Sequence, residues 1–354
     1  MSLVRIVKTD PLSPQSELIR EAAGILRVGG LVIIPTDTVY GVAAASGDQK
    51  AIDKLYRIKN RPKDKPFVLL IAEKDKIEEL CADIPPAAYK LINKFWPGPL
   101  TIILKSKKGG KIGLRMPDNQ VALRIIAEAG TELACPSANI SGKSAPVNFE
   151  EALKDLKDLV DLAIDAGEAK LALESSVVDL SVTPPQILRE TAIRKEEIEN
   201  TVEKKAILFV CTGNSCRSVM AKALLEKRLR EKDRDDVEVF SAGIMMLGGL
   251  SASDGARAVL AKKGIDVSQH RSQRVTKEML RKSDIILVME KIQEDRILEL
   301  APEVKNRLFL LKEFAKIEDN GRLDIEDPIG RGEDFYEQIY GLIKEAVERV
   351  SNII

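Results

Sequence analysis

The sequence predicts a protein built from two α/β domains. The chain has 354 residues, which is long for a single hydrophobic core. Apolar patterns typical of helices and of buried strands alternate along its whole length. Residues 192–205 are charged and contain few large apolar side chains, and the alternation restarts after them. We therefore expect one domain over residues 1–195, a linker over residues 196–204 and a second domain over residues 205–354.

The first half of the chain mixes helical and strand patterns. Residues 14–28 carry apolar side chains at helical spacing and predict an amphipathic helix, which Gly29 and Gly30 end. The apolar run 31–34 then predicts a short buried strand. Further strands are predicted at residues 67–71, 100–104, 177–180 and 186–189. These elements favour an α/β or α+β domain with a mixed, twisted sheet.

The second half of the chain alternates strands and helices at a regular spacing. The strands are predicted at residues 206–210, 237–240, 284–289 and 307–310. The helices are predicted at residues 217–230, 254–263, 292–300 and 334–350. Such an alternation is typical of a doubly wound parallel sheet with helices on both faces.

The composition excludes several classes of function. Lys plus Arg and Asp plus Glu number 55 each, so the overall charge carries no nucleic-acid footprint, although residues 54–65 form a local basic patch. The four cysteines are too dispersed for a disulfide scaffold or a four-cysteine zinc site, and there is a single histidine, His270, so we predict no metal site. No apolar run has membrane-spanning length and no segment reads as an export signal, which predicts a cytoplasmic protein without a membrane partner.

A phosphate-binding loop is predicted where the second half begins. Residues 211–218 read Cys-Thr-Gly-Asn-Ser-Cys-Arg-Ser and join a predicted strand to a predicted helix. Gly213 and Asn214 tolerate a positive φ, so the backbone can turn its N–H groups inward, and the helix N-terminus adds partial positive charge. Arg217 can bind phosphate oxygens in a bidentate manner, and the same field favours a nucleophilic thiolate at Cys211. The loop consists of Cys211, Thr212, Gly213, Asn214, Ser215, Cys216, Arg217 and Ser218.

Displacement by a thiolate needs a proton donor for the leaving group. Asp327, which precedes Pro328 in a loop ahead of the last predicted helix, is the candidate for this role. With this Asp-Pro pair downstream of the Cys-x5-Arg-Ser loop, the sequence resembles the low-molecular-weight protein-tyrosine phosphatase family over residues 204–354. The resemblance implies hydrolysis of a phosphomonoester without a cofactor. It implies that Cys211 is the nucleophile, that Arg217 binds the phosphate and that Asp327 is the general acid. It also implies that Ser218 assists the thiolate, that Asn214 stabilises the loop and that His270 has a structural role.

The substrate of the phosphatase half is a phosphoprotein, for which two chemistries are open. Tyrosine phosphatases of the family usually carry a large apolar residue at the position of Ser215, and residues 244–250 lack an aromatic side chain. Ser215 and the glycine in the run Ile329-Gly330 resemble the protein-arginine phosphatase branch, so phosphoarginine is preferred to phosphotyrosine. Cys216 is interpreted either as a redox partner of Cys211 or as a packing residue of the loop.

Three polar clusters in the first half are candidates for a second site. They lie at residues 35–41, 59–66 and 136–142 and read Pro-Thr-Asp-Thr-Val-Tyr-Gly, Lys-Asn-Arg-Pro-Lys-Asp-Lys-Pro and Pro-Ser-Ala-Asn-Ile-Ser-Gly. Taken singly, each is typical of a turn or a solvated loop. In this order, and with Glu-Ser-Ser-Val-Val-Asp at residues 174–179, they resemble the threonylcarbamoyl-AMP synthase family across residues 3–195.

This second resemblance implies an ATP-consuming synthesis. Members of the family condense L-threonine, bicarbonate and ATP for the modification of tRNA, so ATP with Mg²⁺, and tRNA or tRNA-modification proteins, become expected partners. The motifs place threonine contacts at Thr36, Arg115, Ser137 and Ser176. They place ATP contacts at Lys59, Arg61, Lys65, Asn139 and Arg189. The whole chain is then a bifunctional enzyme, and the alternative for the first half is an RNA-binding module without synthase activity.

Overall fold

The structure is a computed structural model that describes residues 4–245, 248–317 and 321–354. The chain divides into two compact units between Thr201 and Val202. The segment 196–204, expected to be a linker, lies almost entirely in a helix, α7 (Lys195–Glu203), which buries Ile198. Among the helices of the described residues, none has both the length and the apolar character needed to cross a bilayer.

The first unit consists of short strands and helices in mixed order. Its strands are β1 (Arg5–Lys8), β2 (Val32–Ile34), β3 (Gly41–Ala45), β4 (Leu69–Leu70), β5 (Cys81–Ala82), β6 (Leu100–Ser106), β7 (Lys111–Arg115), β8 (Leu133–Ala134), β9 (Leu162–Asp165), β10 (Ser176–Asp179) and β11 (Gln186–Arg189). Its helices before α7 are α1 (Ser16–Arg27), α2 (Gln49–Lys59), α3 (Lys76–Leu80), α4 (Pro86–Phe95), α5 (Gln120–Ala129) and α6 (Phe149–Lys154).

These strands form one mixed sheet in the order β1-β9-β2-β3-β8-β4-β7-β6-β10-β11, with β5 paired to β6. Parallel pairs such as β2 with β9 and β6 with β10 stand beside antiparallel pairs such as β2 with β3 and β6 with β7. The predicted mixed sheet is confirmed. Strand β2 is buried on both faces, because Val32 and Ile34 pack into one apolar cluster and Ile33 into another.

Several strands of this sheet were not predicted. The strand expected at residues 67–71 pairs only at Leu69 and Leu70, and β5 and β8 are also two residues long. So short a run carries no period-2 pattern, and Ala-rich β3 has no strong strand preference of its own. Their pairing is therefore decided by the neighbouring strands and not by local sequence.

The second unit is a doubly wound parallel domain. Its strands are β12 (Lys205–Cys211), β13 (Val237–Gly243), β14 (Ile285–Val288) and β15 (Leu308–Leu310). Its helices are α8 (Arg217–Glu231), α9 (Asp254–Lys262), α10 (Lys277–Lys282), α11 (Lys291–Leu300), α12 (Leu311–Phe314) and α13 (Glu333–Ile353), with a 3-10 helix at Pro302–Arg307.

The sheet of this unit has the order β13-β12-β14-β15, and all three pairings are parallel, as predicted. Along β12, Ile207 and Phe209 pack into one apolar cluster, whereas Leu208 and Val210 pack into a second. Helices therefore cover both faces of the sheet. The central position of β12 brings the loop that follows it to the carboxyl edge, which is where parallel sheets bind ligands.

Candidate active sites

The loop after β12 closes around the thiol of Cys211. Asn214 adopts a left-handed backbone conformation with φ 53°, as its residue type allowed. Its N–H donates to Cys211 Sγ at 3.3 Å, and Ser218 Oγ lies 3.0 Å from the same sulfur. The Asn214 side-chain amide also donates to Ser218 Oγ at 2.9 Å. The Asn214 N–H thus points at the sulfur, and the Ser218 hydroxyl, held by the Asn214 amide, lies beside it.

The outside of this loop is held by the end of β13 and by the segment that follows α9. The backbone N–H of Gln273 donates to Asn214 Oδ1 at 2.9 Å, and His270 Nε2 donates to the Asn214 carbonyl at 2.7 Å. Burial lowers the pKa of His270, which keeps the imidazole neutral. Gly243 lies so close to the loop that an added Cβ would be 2.7 Å from the Thr212 carbonyl oxygen. His270 therefore contacts the backbone of the loop, in keeping with the structural role expected for it.

Arg217 is buried beneath the loop and is 1% exposed. Its Nη1 lies 2.6 Å from Glu290 Oε2, and its Nη2 lies 2.5 Å from Asp327 Oδ2. Its Nε is buried without a hydrogen-bond partner among the described residues. An N–H group left unsatisfied in a polar loop is costly, and a bound oxyanion would satisfy it. The loop therefore has the donors of an anion site.

Glu290 was missed in the sequence. It follows β14 as the N-cap residue of α11, where Gln293 bonds to its carboxylate at 2.7 Å and to Thr212 Oγ1 at 3.1 Å. An acid at the carboxyl end of a parallel strand is a signal that could have marked it.

Cys216 is buried, at 3% exposed, against residues outside the loop. Its sulfur donates to Ser253 Oγ at 3.0 Å and lies 3.5 Å from the Tyr336 hydroxyl. Burial, reinforced by the contact with Cys216, raises the pKa of Tyr336 to about 12.

Ser215 remains partly exposed, and Ile329 is exposed. Of residues 244–250, Met246 and Leu247 lie outside the described residues.

The first unit contains a cavity of about 170 Å³ between the predicted polar clusters. It brings together residues that are far apart in the chain, from the segments after β2, after α2, in β7, after β8 and in β11. Five predicted contact residues line it: Thr36, Arg61, Arg115, Ser137 and Arg189. Four other predicted contact residues do not line it: Lys59, Lys65, Asn139 and Ser176.

Lys59 and Asn139 stand behind the cavity wall. The Lys59 ammonium donates to the Ser137 carbonyl at 2.6 Å and to Asn139 Oδ1 at 2.9 Å, and the side chain is 2% exposed. Ser137 Oγ donates to the same Asn139 oxygen at 2.5 Å. Burial, with a smaller effect of Arg61, lowers the pKa of Lys59 to about 8. The two residues thus orient Ser137.

Ser175, and not Ser176, lines the cavity. The hydroxyl of Ser176 is fully buried, where it donates to the Ile193 carbonyl at 2.9 Å. Successive side chains of a strand point to opposite faces, so only one member of this pair can face the cavity. Lys65 is exposed at the rim, where its carbonyl accepts from Arg61 Nε at 2.8 Å.

Arg115 is held by Asp37 and Thr38, two residues of the cluster 35–41 to which no contact role was assigned from the sequence. Its Nη2 lies 2.5 Å from Asp37 Oδ1, its Nη1 donates to Thr38 Oγ1 at 2.6 Å, and its side chain is 7% exposed. Burial raises the pKa of Asp37, and the charge of Arg115 opposes the rise. Thr36 Oγ1 donates to the Val39 carbonyl at 2.6 Å, which closes the turn after β2.

Family models match both units. Residues 24–191 match the model described as Telomere recombination, Sua5_yciO_yrdC. Residues 206–353 match the model described as Low molecular weight phosphotyrosine protein phosphatase. The two matches fall on the two units of the structure.

Curated relatives are similar to a little more than half of the chain. A threonylcarbamoyl-AMP synthase of Pyrococcus abyssi is 37% identical over 212 residues, which are 57% of this chain and 62% of that protein. One of Bacillus subtilis is 37% identical over 204 residues, 55% of this chain and 59% of that protein. The chain thus spans less than two thirds of the length of both. An uncharacterized protein of Haemophilus influenzae is 34% identical over 51% of this chain and 92% of its own length.

Two solved structures are similar to this chain. A crystal structure of Pyrococcus abyssi Sua5 complexed with L-threonine is 26% identical, covers 87% of this chain and 99% of that chain, and has a TM-score of 0.54. The YwlE arginine phosphatase of Geobacillus stearothermophilus is 39% identical over 42% of this chain and 92% of that chain, with a TM-score of 0.38.

The close approach of Gly243 to the phosphate-binding loop predicts a selective defect. In Gly243→Ala, the new Cβ would lie 2.7 Å from the Thr212 oxygen and 2.9 Å from the Asn214 nitrogen, both backbone atoms. We expect a loss of about 1–3 kcal/mol in stability and a marked loss of hydrolysis of a small phosphomonoester. The control is Gly341→Ala in α13, where nothing lies within 4 Å of the added Cβ and alanine favours the helix. Equal activity in the two variants would contradict this reading of the loop.

The buried amine of Lys59 predicts a dependence of stability on pH. Its folded-state pKa of about 8 lies below the usual 10.5, so the unfolded chain binds more protons between these values. The free energy of unfolding of the wild type relative to Lys59→Met should therefore rise by about 2–3 kcal/mol from pH 8 to pH 10.5. Urea unfolding followed by the fluorescence of Trp96, the single tryptophan, measures it in the first unit. A difference that is flat or falls with pH would show that the amine is not desolvated.

Proposed function

The chain belongs to the threonylcarbamoyl-AMP synthase family through its first unit and to the low-molecular-weight phosphotyrosine protein phosphatase family through its second, and from this premise we propose that it is a bifunctional enzyme. The first unit forms threonylcarbamoyl-AMP from ATP, L-threonine and bicarbonate for N6-threonylcarbamoyladenosine in tRNA. The second hydrolyses a phosphorylated protein side chain through a cysteine nucleophile. Transfer RNA and tRNA-modification proteins are the partners that the first activity would require.

The cavity of the first unit carries the synthase proposal. Thr36, Ser137 and the buried Arg115 offer hydroxyls and a positive charge to a small zwitterion such as threonine, and a Pyrococcus abyssi relative was crystallised with L-threonine. Ser175 replaces Ser176 as the proposed hydroxyl on this side. Arg61 and Arg189 face the same space and would stabilise the charge that develops as pyrophosphate leaves the α-phosphate.

The remaining predicted residues have indirect roles in this proposal. Lys59 and Asn139 position Ser137, and Lys65 borders the entrance with Arg61. Cys135 lines the cavity, but burial raises its pKa to about 12, so it remains a thiol and no covalent enzyme intermediate is proposed.

Magnesium enters the proposal only with the nucleotide. Among the described residues there is no cluster of three side chains that could hold a metal ion. Mg²⁺ usually reaches nucleotide sites bound to phosphate and water oxygens, and one or two protein groups suffice.

The phosphatase proposal rests on the conjunction of Cys211, Arg217 and Asp327. The Cys211 thiolate would attack phosphorus in line, so that an S–P bond forms while the bond to the leaving group breaks and Asp327 donates its proton there. Water then cleaves the S–P bond, and the Asp327 carboxylate accepts a proton from that water. The partnerless Nε of Arg217 supports a phosphate in the loop, since it would donate to a phosphate oxygen.

In the structure, Asp327 Oδ2 accepts a hydrogen bond from Arg217 Nη2. We propose that the entering phosphate takes over Arg217 Nη2 and releases Asp327 towards the leaving group. Glu290 keeps its hold on Nη1 throughout, so the guanidinium stays neutralised and oriented.

Phosphoarginine is the proposed substrate, with phosphotyrosine as the alternative. Ser215 is a small, partly exposed hydroxyl beside the loop opening, where it could bind the N–H groups of a guanidinium. Gly330, in the segment after Asp327, has a positive φ of 77° and carries no side chain. An isoleucine at position 215 would instead favour the flat, apolar ring of tyrosine.

The synthase proposal is tested by pyrophosphate release from ATP in the presence of L-threonine and bicarbonate. We expect Arg61→Ala to reduce this release by on the order of 100-fold, because a donor to developing charge is lost. Cys211→Ser should leave it unchanged, since it alters only the second unit. If the wild type released no more pyrophosphate than Arg61→Ala, the synthase proposal would be refuted. Binding of tRNA by the same protein would then favour an RNA-binding module.

The phosphatase proposal is tested with phosphoarginine and phosphotyrosine peptides of the same sequence. We expect Cys211→Ser to be inactive on both, the wild type to have the higher kcat/KM on phosphoarginine, and Ser215→Ile to reverse that preference by about 10-fold or more. A wild-type preference for phosphotyrosine would refute the proposed substrate, and an active Cys211→Ser would refute the nucleophile.

A further inference from the structure

Among the arginines that line the cavity of the first unit, Arg189 is paired with a carboxylate that also lines it. Its Nη1 lies 2.6 Å from Glu174 Oε1. Arg115 is neutralised by Asp37, which is buried and does not line the cavity. Arg61 donates to the carbonyl oxygens of Lys65 and Pro66, which are uncharged acceptors. Glu174 thus forms an ion pair with the arginine that a phosphate group of the ligand would need to bind.

We propose that Glu174 sets the affinity of the cavity for an anionic phosphate group, by holding Arg189 in the free protein and releasing it when that group arrives. The proposal rests on the proposed function in one respect, namely that the ligand is a nucleotide. Glu174 is then a positioning residue, which acts on the ligand through Arg189.

The ion pair is weak enough to be exchanged. The side chains of Arg189 and Glu174 are 37% and 43% exposed, and pairs of this exposure are screened by water and contribute little. A phosphate group carries more charge than a carboxylate and offers a guanidinium two oxygens in bidentate geometry. The phosphate group therefore displaces the Glu174 carboxylate from Arg189. Breaking the ion pair costs free energy, and this cost reduces the net affinity for the phosphate group.

Only the side chain of Glu174 has to move for this exchange. Its carbonyl accepts from Thr191 Oγ1 at 2.7 Å, which fixes its backbone. Arg189 is fixed independently, because its Nε donates to the Ser175 carbonyl at 2.8 Å and its Nη2 to Ser175 Oγ at 3.2 Å. The guanidinium consequently keeps its direction when the carboxylate leaves.

The test is calorimetric titration of the full-length protein with inorganic pyrophosphate and with ATP. We expect Glu174→Gln to bind both about two- to fivefold more tightly than the wild type, because it keeps the shape of the side chain and removes the competing charge. Glu174→Asp, which retains the charge but is one methylene shorter, should also bind more tightly. The control is Glu168→Gln, an exposed acid of the same connecting segment that does not line the cavity, and its affinity should remain near that of the wild type.

The outcomes separate this proposal from the proposed function. Unchanged or weaker binding of pyrophosphate and ATP by Glu174→Gln would overturn the role of Glu174, because a purely structural residue loses affinity when it is altered. An equal gain in Glu168→Gln would also overturn it, since the effect would then be general electrostatics. Tighter binding of pyrophosphate without any binding of ATP would support the role of Glu174 and contradict the synthase.

Discussion

Both candidate sites depend on a buried arginine that has to be neutralised. The guanidinium of Arg217 lies under the phosphate-binding loop with Glu290 and Asp327, and that of Arg115 lies at the base of the cavity with Asp37. Transfer of a charge out of water costs several kcal/mol unless a partner and further hydrogen bonds compensate for it. Each unit therefore has to bring carboxylates to its site before any ligand arrives, and the partners of these arginines belong to the site as much as the arginines do.

The two sheets provide these partners in different ways. In the second unit, β12 and β14 are parallel neighbours, with Val210 opposite Val288, so Cys211 and Glu290 reach the same carboxyl edge. This edge is where a doubly wound sheet places ligands. In the first unit, the mixed sheet sends loops to the cavity from several strand ends, and Lys59 and Asn139 hold Ser137 from behind. One site is built on a single loop and the other on many segments.

This difference explains how much of each site could be predicted. The phosphate-binding loop is continuous, and its residue types act through local backbone geometry, so Asn214 was found at positive φ and α8 begins at Arg217, as expected. In the first unit, motif order indicated segments that line the cavity, but it did not tell Ser175 from Ser176. Which serine faces the cavity depends on the pairing register of β10 with β6 and β11 and on which side chains of β10 point towards the cavity. Glu290 belongs to no contiguous motif, and its role follows from the pairing of two strands.

The sequence by itself determined that the chain has two α/β domains and that the second is a parallel sheet with a Cys-x5-Arg loop, and it indicated three polar clusters as a candidate site in the first. These features are local, since period, turn chemistry and residue type act over a few positions. The tertiary structure alone decided which carboxylates neutralise the buried arginines, which serine faces the cavity, and that Glu174 holds Arg189. Such contacts join residues whose proximity comes from strand pairing and core packing, and no short stretch of sequence encodes them.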